Sequence, residues 1–335
     1  MRGGLTRIYL LYLTLLLTIL LFATGTGKNI NEKSTPTESS YELSIFVIPS
    51  YRPIDWGSPS MLIKSTVNSY MEASFNKKLY PIGHLFIELI NPEGDLLIRT
   101  SIASSRPAEQ RKMVLGDKIG LAMLGAPVAG RMESKDELAR QIDKFAKRGK
   151  ISFISYKIKP EAAERVINYV QTFSSRDSLG RSPSDRYGGS FWPRFKGEGS
   201  GCSAFGMAAL QLTGVNIDNP EWYIEVDVPF DLVGGVYNNG VKVRPMSVLK
   251  RKEWHNGEGE EWKTHFTHFI YDPSYIYEWI KRRLCGEAPL EGFSKSYKRS
   301  VSGRIFEGLE IDATGLDTPK DPIFKSRERP SLFVD

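Results

Sequence analysis

The chain of 335 residues has only two cysteines, Cys202 and Cys285, and only four histidines. Two cysteines can form no more than one disulfide, which excludes the dense disulfide framework of small secreted domains. Lys and Arg alternate with Asp and Glu and form no basic block, so the net charge of +6 gives no footprint for a nucleic-acid partner. With 41% hydrophobic and 25% charged residues, the composition indicates a globular chain with a mixed, solvated surface.

Long apolar runs are scarce as well, and the prominent one lies at the N-terminus. Arg2 and Arg7 precede the apolar run 8–22, which is followed by small residues over 23–27. This order is typical of a secretory signal, and the run is shorter than the roughly 20 residues that span a bilayer. We expect residues 1–27 to be a signal peptide, or alternatively a membrane anchor. The chain after them is expected to be exported, to the periplasm or another extracytoplasmic space.

Periodicity and turn signals predict an α+β domain over residues 41–285. Strands are predicted at 41–49, 80–90, 96–103 and 151–158, with a turn at 91–95. The capping box Ser134–Glu137 and the residue Pro160 each predict the start of a helix. Residues 28–40 read as a polar linker, the glycine-punctuated segment 106–132 as an insertion that covers a site, and the polar residues 286–335 as a C-terminal extension.

Cys202 lies where a glycine-rich loop gives way to a helix of small and apolar residues. The unpaired N–H groups and the positive end of a helix favour a thiolate at such a position, so Cys202 is a candidate nucleophile. Two other interpretations remain open. The thiol is buried and inert, or it forms a disulfide with Cys285, as an even number of cysteines in an exported chain permits.

A nucleophilic cysteine needs a base, and His84 is the best placed of the four histidines. It follows Gly83 on a predicted strand, a rigid element that can direct an imidazole at a sulfur atom. The alternative is a partly buried strand histidine that hydrogen-bonds to backbone.

The order of these elements resembles the circularly permuted branch of the NlpC-type, papain-like cysteine hydrolase superfamily, to which lecithin-retinol acyltransferase-like proteins belong. The resemblance covers residues 80–214: a strand with Gly83-His84, its hairpin partner, a further strand, the helix at Pro160, and a loop into Cys202-Ser203-Ala204-Phe205. In that branch the histidine precedes the cysteine. The resemblance implies an antiparallel sheet with the cysteine helix packed against it. It also implies Cys202 as nucleophile, His84 as general base and the Cys202 N–H as an oxyanion donor.

The same resemblance implies a third, polar residue on the strand after the histidine, where it orients the ring. In this chain that strand offers only Thr100 and Ser101 as candidates. Arg99 cannot accept a proton from the ring, and Glu88 lies roughly 13 Å from His84 along an extended strand.

Two further groups of residues are candidates for a functional site. Tyr187, Phe191 and Trp192 precede the cysteine and are predicted to line a substrate groove, with packing of the loop on the core as the alternative. His255, His265 and His268 suggest a metal site, but His265 and His268 face opposite sides of a strand, so no metal and no cofactor are expected.

Together these features predict an exported thiol hydrolase or acyltransferase that attacks an amide or ester carbonyl and forms an acyl-enzyme. Export and the resemblance point to an envelope peptide or lipid as substrate, with membrane association through the N-terminus. The alternative is a non-catalytic exported binding or structural protein that retains the fold. A third interpretation is a metal-dependent enzyme whose ligands are the C-terminal histidines.

Overall fold

The computed structural model describes residues 40–75, 80–328 and 332–333, and these residues belong to one compact unit. In this part of the chain, seven α-helices accompany one six-stranded sheet and two small sheets, which confirms the predicted α+β class. None of the helices in the described ranges is long and apolar enough to cross a membrane. The predicted signal segment 1–27 and the linker up to residue 39 lie outside the described residues.

The strands and helices of the described chain are numbered here in chain order. The strands are β1 (Tyr41–Ile48), β2 (His84–Ile90), β3 (Leu96–Thr100), β4 (Ile102–Ser104), β5 (Val128–Met132), β6 (Ser152–Ile158), β7 (Arg186–Tyr187), β8 (Tyr223–Pro229), β9 (His265–Tyr271), β10 (Ser294–Arg299) and β11 (Ile305–Asp312). The helices are α1 (Pro59–Phe75), α2 (Pro107–Leu115), α3 (Lys135–Ala146), α4 (Pro160–Ser174), α5 (Cys202–Gln211), α6 (Pro245–Lys250) and α7 (Pro273–Leu284). The strands predicted at 41–49 and 151–158 are confirmed, as are the helix starts at the Ser134 capping box, Pro160 and Cys202. The strand predicted at 80–90 begins only at His84, and the one predicted at 96–103 is divided into β3 and β4, which belong to different sheets.

The main sheet has the strand order β10-β11-β6-β1-β2-β3. Its neighbouring strands are antiparallel except for β11, which runs parallel to β6 with Leu309 opposite Ile154. The expected antiparallel sheet is thus corrected to a mixed one. The two extra strands come from the predicted C-terminal extension. The sequence of β10, SKSYKR, shows no alternation of apolar residues, because most of this edge strand is exposed and its half-buried positions are occupied by Ser296 and Lys298.

Both faces of the sheet are covered, so its central strands are buried along almost their whole length. On one face, the odd-numbered aliphatic residues of β1 and β2 pack against α4, α5 and α7. On the other face, Phe46, Phe86 and Phe153 pack against α3. This two-sided burial explains why the strands read as nearly continuous hydrophobic runs.

Helix α5 lies unusually close to β2 because it has no side chain at Gly206. A Cβ atom at this position would stand 2.1 Å from Leu85 Cδ2 and 3.4 Å from Ile87 Cγ2. Leu85 directly follows His84, so this close approach brings the first turn of α5 to the beginning of β2.

The remaining chain forms two small sheets and a C-terminal strap. The small sheets are β4-β5-β7 and β8-β9. Residues 321–327 bind to the loop that leads to Cys202: buried Arg194 donates to Asp321 Oδ2 at 2.7 Å, and Arg327 pairs with buried Glu198 at 2.8 Å. Part of the predicted extension therefore holds the cysteine loop in place.

Candidate active site

Cys202 is the first residue of α5 and is only 7% exposed. Gly201 precedes it as the N-cap and offers no side-chain cap, so the first-turn N–H groups are left without that partner. Two hydroxyl groups approach the sulfur atom: Tyr187 Oη and Ser203 Oγ each lie 3.9 Å from Cys202 Sγ.

The structure brings the His84 imidazole beside the Cys202 thiol, close enough for each to shift the pKa of the other, although the two residues are far apart in the chain. Burial by itself raises the pKa of the Cys202 thiol. The His84 imidazolium, a hydrogen bond from it and the backbone N–H of Leu85 outweigh that effect, and the pKa of Cys202 is lowered. Burial by itself lowers the pKa of His84, but the negative charges of Cys202 and Glu133 raise it above its ordinary value. The two shifts favour a thiolate–imidazolium pair.

Glu133 is the residue that orients the His84 ring. Its Oε2 lies 2.6 Å from His84 Nε2, and both side chains are buried. Because an imidazole has only two nitrogens, this contact leaves Nδ1 for the sulfur of Cys202. Cys202, His84 and Glu133 therefore form a buried row, in which Glu133 bonds to the imidazole and the imidazole lies beside the thiol.

Glu133 is not among the site residues predicted from the sequence, because the resemblance places the orienting residue on the strand after the histidine. Glu133 follows β5, in the small sheet, and precedes the capping-box residue Ser134 of α3. An acidic residue between a strand end and a helix start was the available signal. Chain-local patterns do not show that this junction lies beside His84.

Thr100 and Ser101, the two residues proposed from the sequence for orienting the ring, lie next to the row without hydrogen-bonding to the imidazole. Thr100 Oγ1 donates to the backbone oxygen of Glu133 at 3.0 Å, and Ser101 Oγ donates to the backbone oxygen of Leu85 at 2.6 Å. They fix the backbone of the residues on either side of the site.

Tyr80 covers the outer face of the row. Its ring stacks on the His84 imidazole with a centroid distance of 4.2 Å and an angle of 9°. Its hydroxyl donates to Glu133 Oε1 at 3.2 Å. Tyr80 also has a φ of 60°, a conformation that non-glycine residues seldom adopt. Strained backbone of this kind is concentrated at functional sites.

We expect Tyr80→Phe to lower the rate at which Cys202 reacts with iodoacetamide at neutral pH by roughly 10-fold, because a hydrogen bond to a charged group contributes about 1.5–3 kcal/mol. Phenylalanine keeps the ring that stacks on His84, so the fall in labelling rate reports the contribution of the hydroxyl alone. Tyr277→Phe is the matched control. The Tyr277 hydroxyl also donates a hydrogen bond, but to the backbone oxygen of Gly149, which lies outside the row Cys202–His84–Glu133. A Tyr80→Phe protein that loses thermal stability but keeps its labelling rate would show that Tyr80 is only structural.

A cavity of about 320 Å³ borders Cys202. Tyr187, Phe191 and Trp192, the three residues predicted to line a substrate groove, all contribute to its wall. Met123, Leu124 and Ala126 of the predicted insertion form part of the wall as well. The structure thus gathers these predicted residues around one opening beside the sulfur atom.

The three C-terminal histidines do not converge on one site. The His255 and His265 rings stack at 4.7 Å, whereas His268 lies near Ser190. Among residues 40–75, 80–328 and 332–333, no three His, Cys, Asp or Glu side chains form a group that could hold a metal ion. Cys202 and Cys285 are both free, the first buried and the second exposed.

Compared with family models, with curated proteins and with solved structures, the chain matches none.

Proposed function

We propose that this protein is a thiol hydrolase or acyltransferase in which Cys202 is the nucleophile, His84 the general acid and base, and Glu133 the residue that orients His84. The observation that carries this proposal is the buried row Cys202–His84–Glu133 at the start of α5, beside a cavity of about 320 Å³. A nucleophile, a base within hydrogen-bond reach and a third group that holds the base are the components that covalent acyl transfer requires.

The reaction begins with attack of the Cys202 thiolate on an ester or amide carbonyl, which forms a C–S bond and a tetrahedral oxyanion. The uncapped first-turn N–H groups of α5 and the Tyr187 hydroxyl are the donors nearest to that oxygen. The His84 imidazolium then gives its proton to the leaving amine or alcohol as the C–N or C–O bond breaks. The product of this half-reaction is a thioester on Cys202.

The second half-reaction releases the acyl group. His84, now neutral, accepts a proton from water or from an acceptor alcohol or amine, whose oxygen or nitrogen attacks the thioester carbonyl. The C–S bond breaks, and the thiolate–imidazolium pair is restored. Water as acceptor gives a hydrolase, and another nucleophile gives an acyltransferase.

The order of the site residues along the chain supports a permuted papain-like arrangement. The histidine strand β2 precedes the cysteine helix α5, and α5 packs on the sheet that contains β2. With the apolar N-terminal run, we extend the proposal to an exported enzyme that acts on an envelope peptide or lipid. Neither cysteine is engaged in a disulfide, so the alternative of a binding protein with a Cys202–Cys285 bridge gains no support.

The pH dependence of thiol alkylation tests this proposal. We expect Cys202 to react with iodoacetamide at pH 6 at least 10-fold faster than the same residue in urea-unfolded protein, because a thiol with an ordinary pKa of about 8.5 is almost fully protonated there. The lowered pKa of Cys202 keeps the thiolate present until the pH falls through that pKa. Mass spectrometry of the peptides that contain Cys202 and Cys285 gives both rates from one sample.

His84→Ala should abolish the enhanced labelling at pH 6, because burial then raises the pKa of Cys202 without an opposing cation. His255→Ala is the matched control, since His255 neither contacts Cys202 nor lines the cavity. An unchanged melting temperature shows that the variants remain folded, and Cys285, which is exposed, is the reference for the labelling rate. If Cys202 in the native protein reacts no faster than in the unfolded chain, the proposed function is wrong.

A further inference from the structure

The wall of the cavity contains no cation. Among the described residues that line it there is no Lys or Arg, and its single carboxylate belongs to Asp272. That carboxylate is already engaged, since Asp272 Oδ1 accepts from the Ser274 N–H at 2.7 Å and Oδ2 from Trp56 Nε1 at 3.3 Å. Away from the first turn of α5, a negatively charged ligand would meet no cationic side chain of the described wall and would be repelled by Asp272.

Most of the wall is apolar. Aliphatic and aromatic side chains of α1, the insertion, the cysteine loop and β9 face one another across it, among them Leu62, Met123, Phe191 and Phe269. A pocket of this kind binds an uncharged group by removing apolar surface from water.

His268 is a buried, ionisable residue of this wall. It is 1% exposed, its Nδ1 lies 3.3 Å from Ser190 Oγ, and its ring stacks on Trp56 at 6.0 Å. Its Nε2 has no hydrogen-bond partner among the residues that the structure describes. Burial lowers the pKa of His268 to about 4, so the imidazole is neutral at neutral pH. Several buried polar atoms of the described chain lack a partner, and His268 is the residue among them that lines the cavity, so a ligand bound there is the partner within its reach.

We propose that the cavity binds an uncharged, largely apolar acyl group and that His268 Nε2 hydrogen-bonds to one neutral polar group on that chain. The inference rests on the proposed function, because it makes the cavity the acyl-binding site of Cys202. It favours esters or amides of aliphatic or aromatic acids over peptides with charged side chains or a free carboxylate near the scissile bond. His268 is then a specificity-determining residue, one that touches the acyl group away from the reacting carbonyl.

Maleimides with different N-substituents test the cavity without knowledge of the natural substrate. Each reagent adds to a thiolate to form a C–S bond and takes one proton on carbon, and exposed Cys285 serves as the reference thiol in the same molecule. We expect the ratio of Cys202 to Cys285 labelling to rise at least 10-fold from N-ethylmaleimide to N-hexylmaleimide. The ratio should fall at least 10-fold from N-hexylmaleimide to 6-maleimidohexanoate, which has a similar chain and a terminal carboxylate.

Hydroxyalkyl maleimides with the hydroxyl at successive positions test His268. Transfer of a hydroxyl group into an apolar pocket is unfavourable unless it finds a partner, so only an isomer that reaches His268 should match or exceed N-hexylmaleimide. We expect one isomer to react at least 3-fold faster than the plain chain and to lose that gain in His268→Phe. His255→Phe, a matched change outside the cavity, should retain the gain.

The outcomes separate the two proposals. If iodoacetamide shows no enhanced labelling of Cys202, the proposed function fails. If that labelling is enhanced but the ratio of Cys202 to Cys285 labelling does not depend on the chain length of the maleimide, or is higher for the carboxylate, only the cavity inference is overturned. If no hydroxyl isomer gains, or the gain persists in His268→Phe, the role of His268 is wrong. The chain-length series uses the unaltered protein, so it holds even where His268→Phe fails to fold.

Discussion

Replacing Glu133 by Gln should lower the rate of p-nitrophenyl hexanoate hydrolysis by roughly 10²- to 10⁴-fold, the range measured for general acid–base groups and for the residues that orient them. Glutamine has nearly the same shape but no charge. The 2.6 Å contact between Glu133 Oε2 and His84 Nε2 then loses the anion that stabilises the imidazolium. The pKa of His84 falls, the thiolate loses its cation, and the pKa of Cys202 rises.

The pH profile of Cys202 alkylation distinguishes this effect from a structural one. In Glu133→Gln the midpoint of that profile should move to higher pH, which a general loss of stability would not produce. Glu137→Gln is the matched control: the carboxylate lies four residues further on and bonds to Arg131 and the Ser134 N–H instead of to His84. Glu137→Gln should weaken only the capping interactions, which lowers the free energy of unfolding by about 1 kcal/mol, and it should leave the rate of ester hydrolysis unchanged. Wild-type rate and midpoint in Glu133→Gln would contradict the assigned role.

Replacing Gly199 by Ala should reduce the free energy of unfolding by about 3 kcal/mol, at the upper end of the usual cost of overpacking. A Cβ atom at Gly199 would stand 2.0 Å from the backbone oxygen of Arg186. The obstacle is backbone of β7, and the Ser200 N–H donates to that same oxygen at 3.1 Å, so neither segment moves without breaking the contact. The expected fall in melting temperature is roughly 5–10 °C.

The loop shift in Gly199→Ala also displaces Cys202, three residues further on, so its labelling at pH 6 should fall together with the stability. Gly315→Ala is the control, because a Cβ atom there meets nothing within 4 Å. Differential scanning calorimetry and alkylation measure the two effects separately. A Gly199→Ala protein with wild-type melting temperature would show that the loop before Cys202 yields more easily than the packing implies.

The C-terminal strands show where local patterns stop being informative. Strand β11 lies inside the main sheet, parallel to β6, and β10 beside it is a polar edge strand. From their sequences, the two strands were predicted to be part of a surface extension. Alternation of apolar residues appears only where one face of a strand is buried. Strands β1, β2 and β6 were predictable because they bury large apolar side chains.

The amino-acid sequence alone was sufficient to predict the α+β class, a strand that carries His84, a helix that begins at Cys202 and a cavity wall that includes Phe191 and Trp192. Each of these depends on neighbours within a few positions, through side-chain periodicity, capping and turn chemistry. The contact of Glu133 with His84, the hydrogen bond from Tyr80 to Glu133 and the place of His268 in the wall beside Cys202 became evident only from the three-dimensional structure. These contacts join segments tens of residues apart, and packing of whole elements against one another, which no local pattern encodes, brings them together.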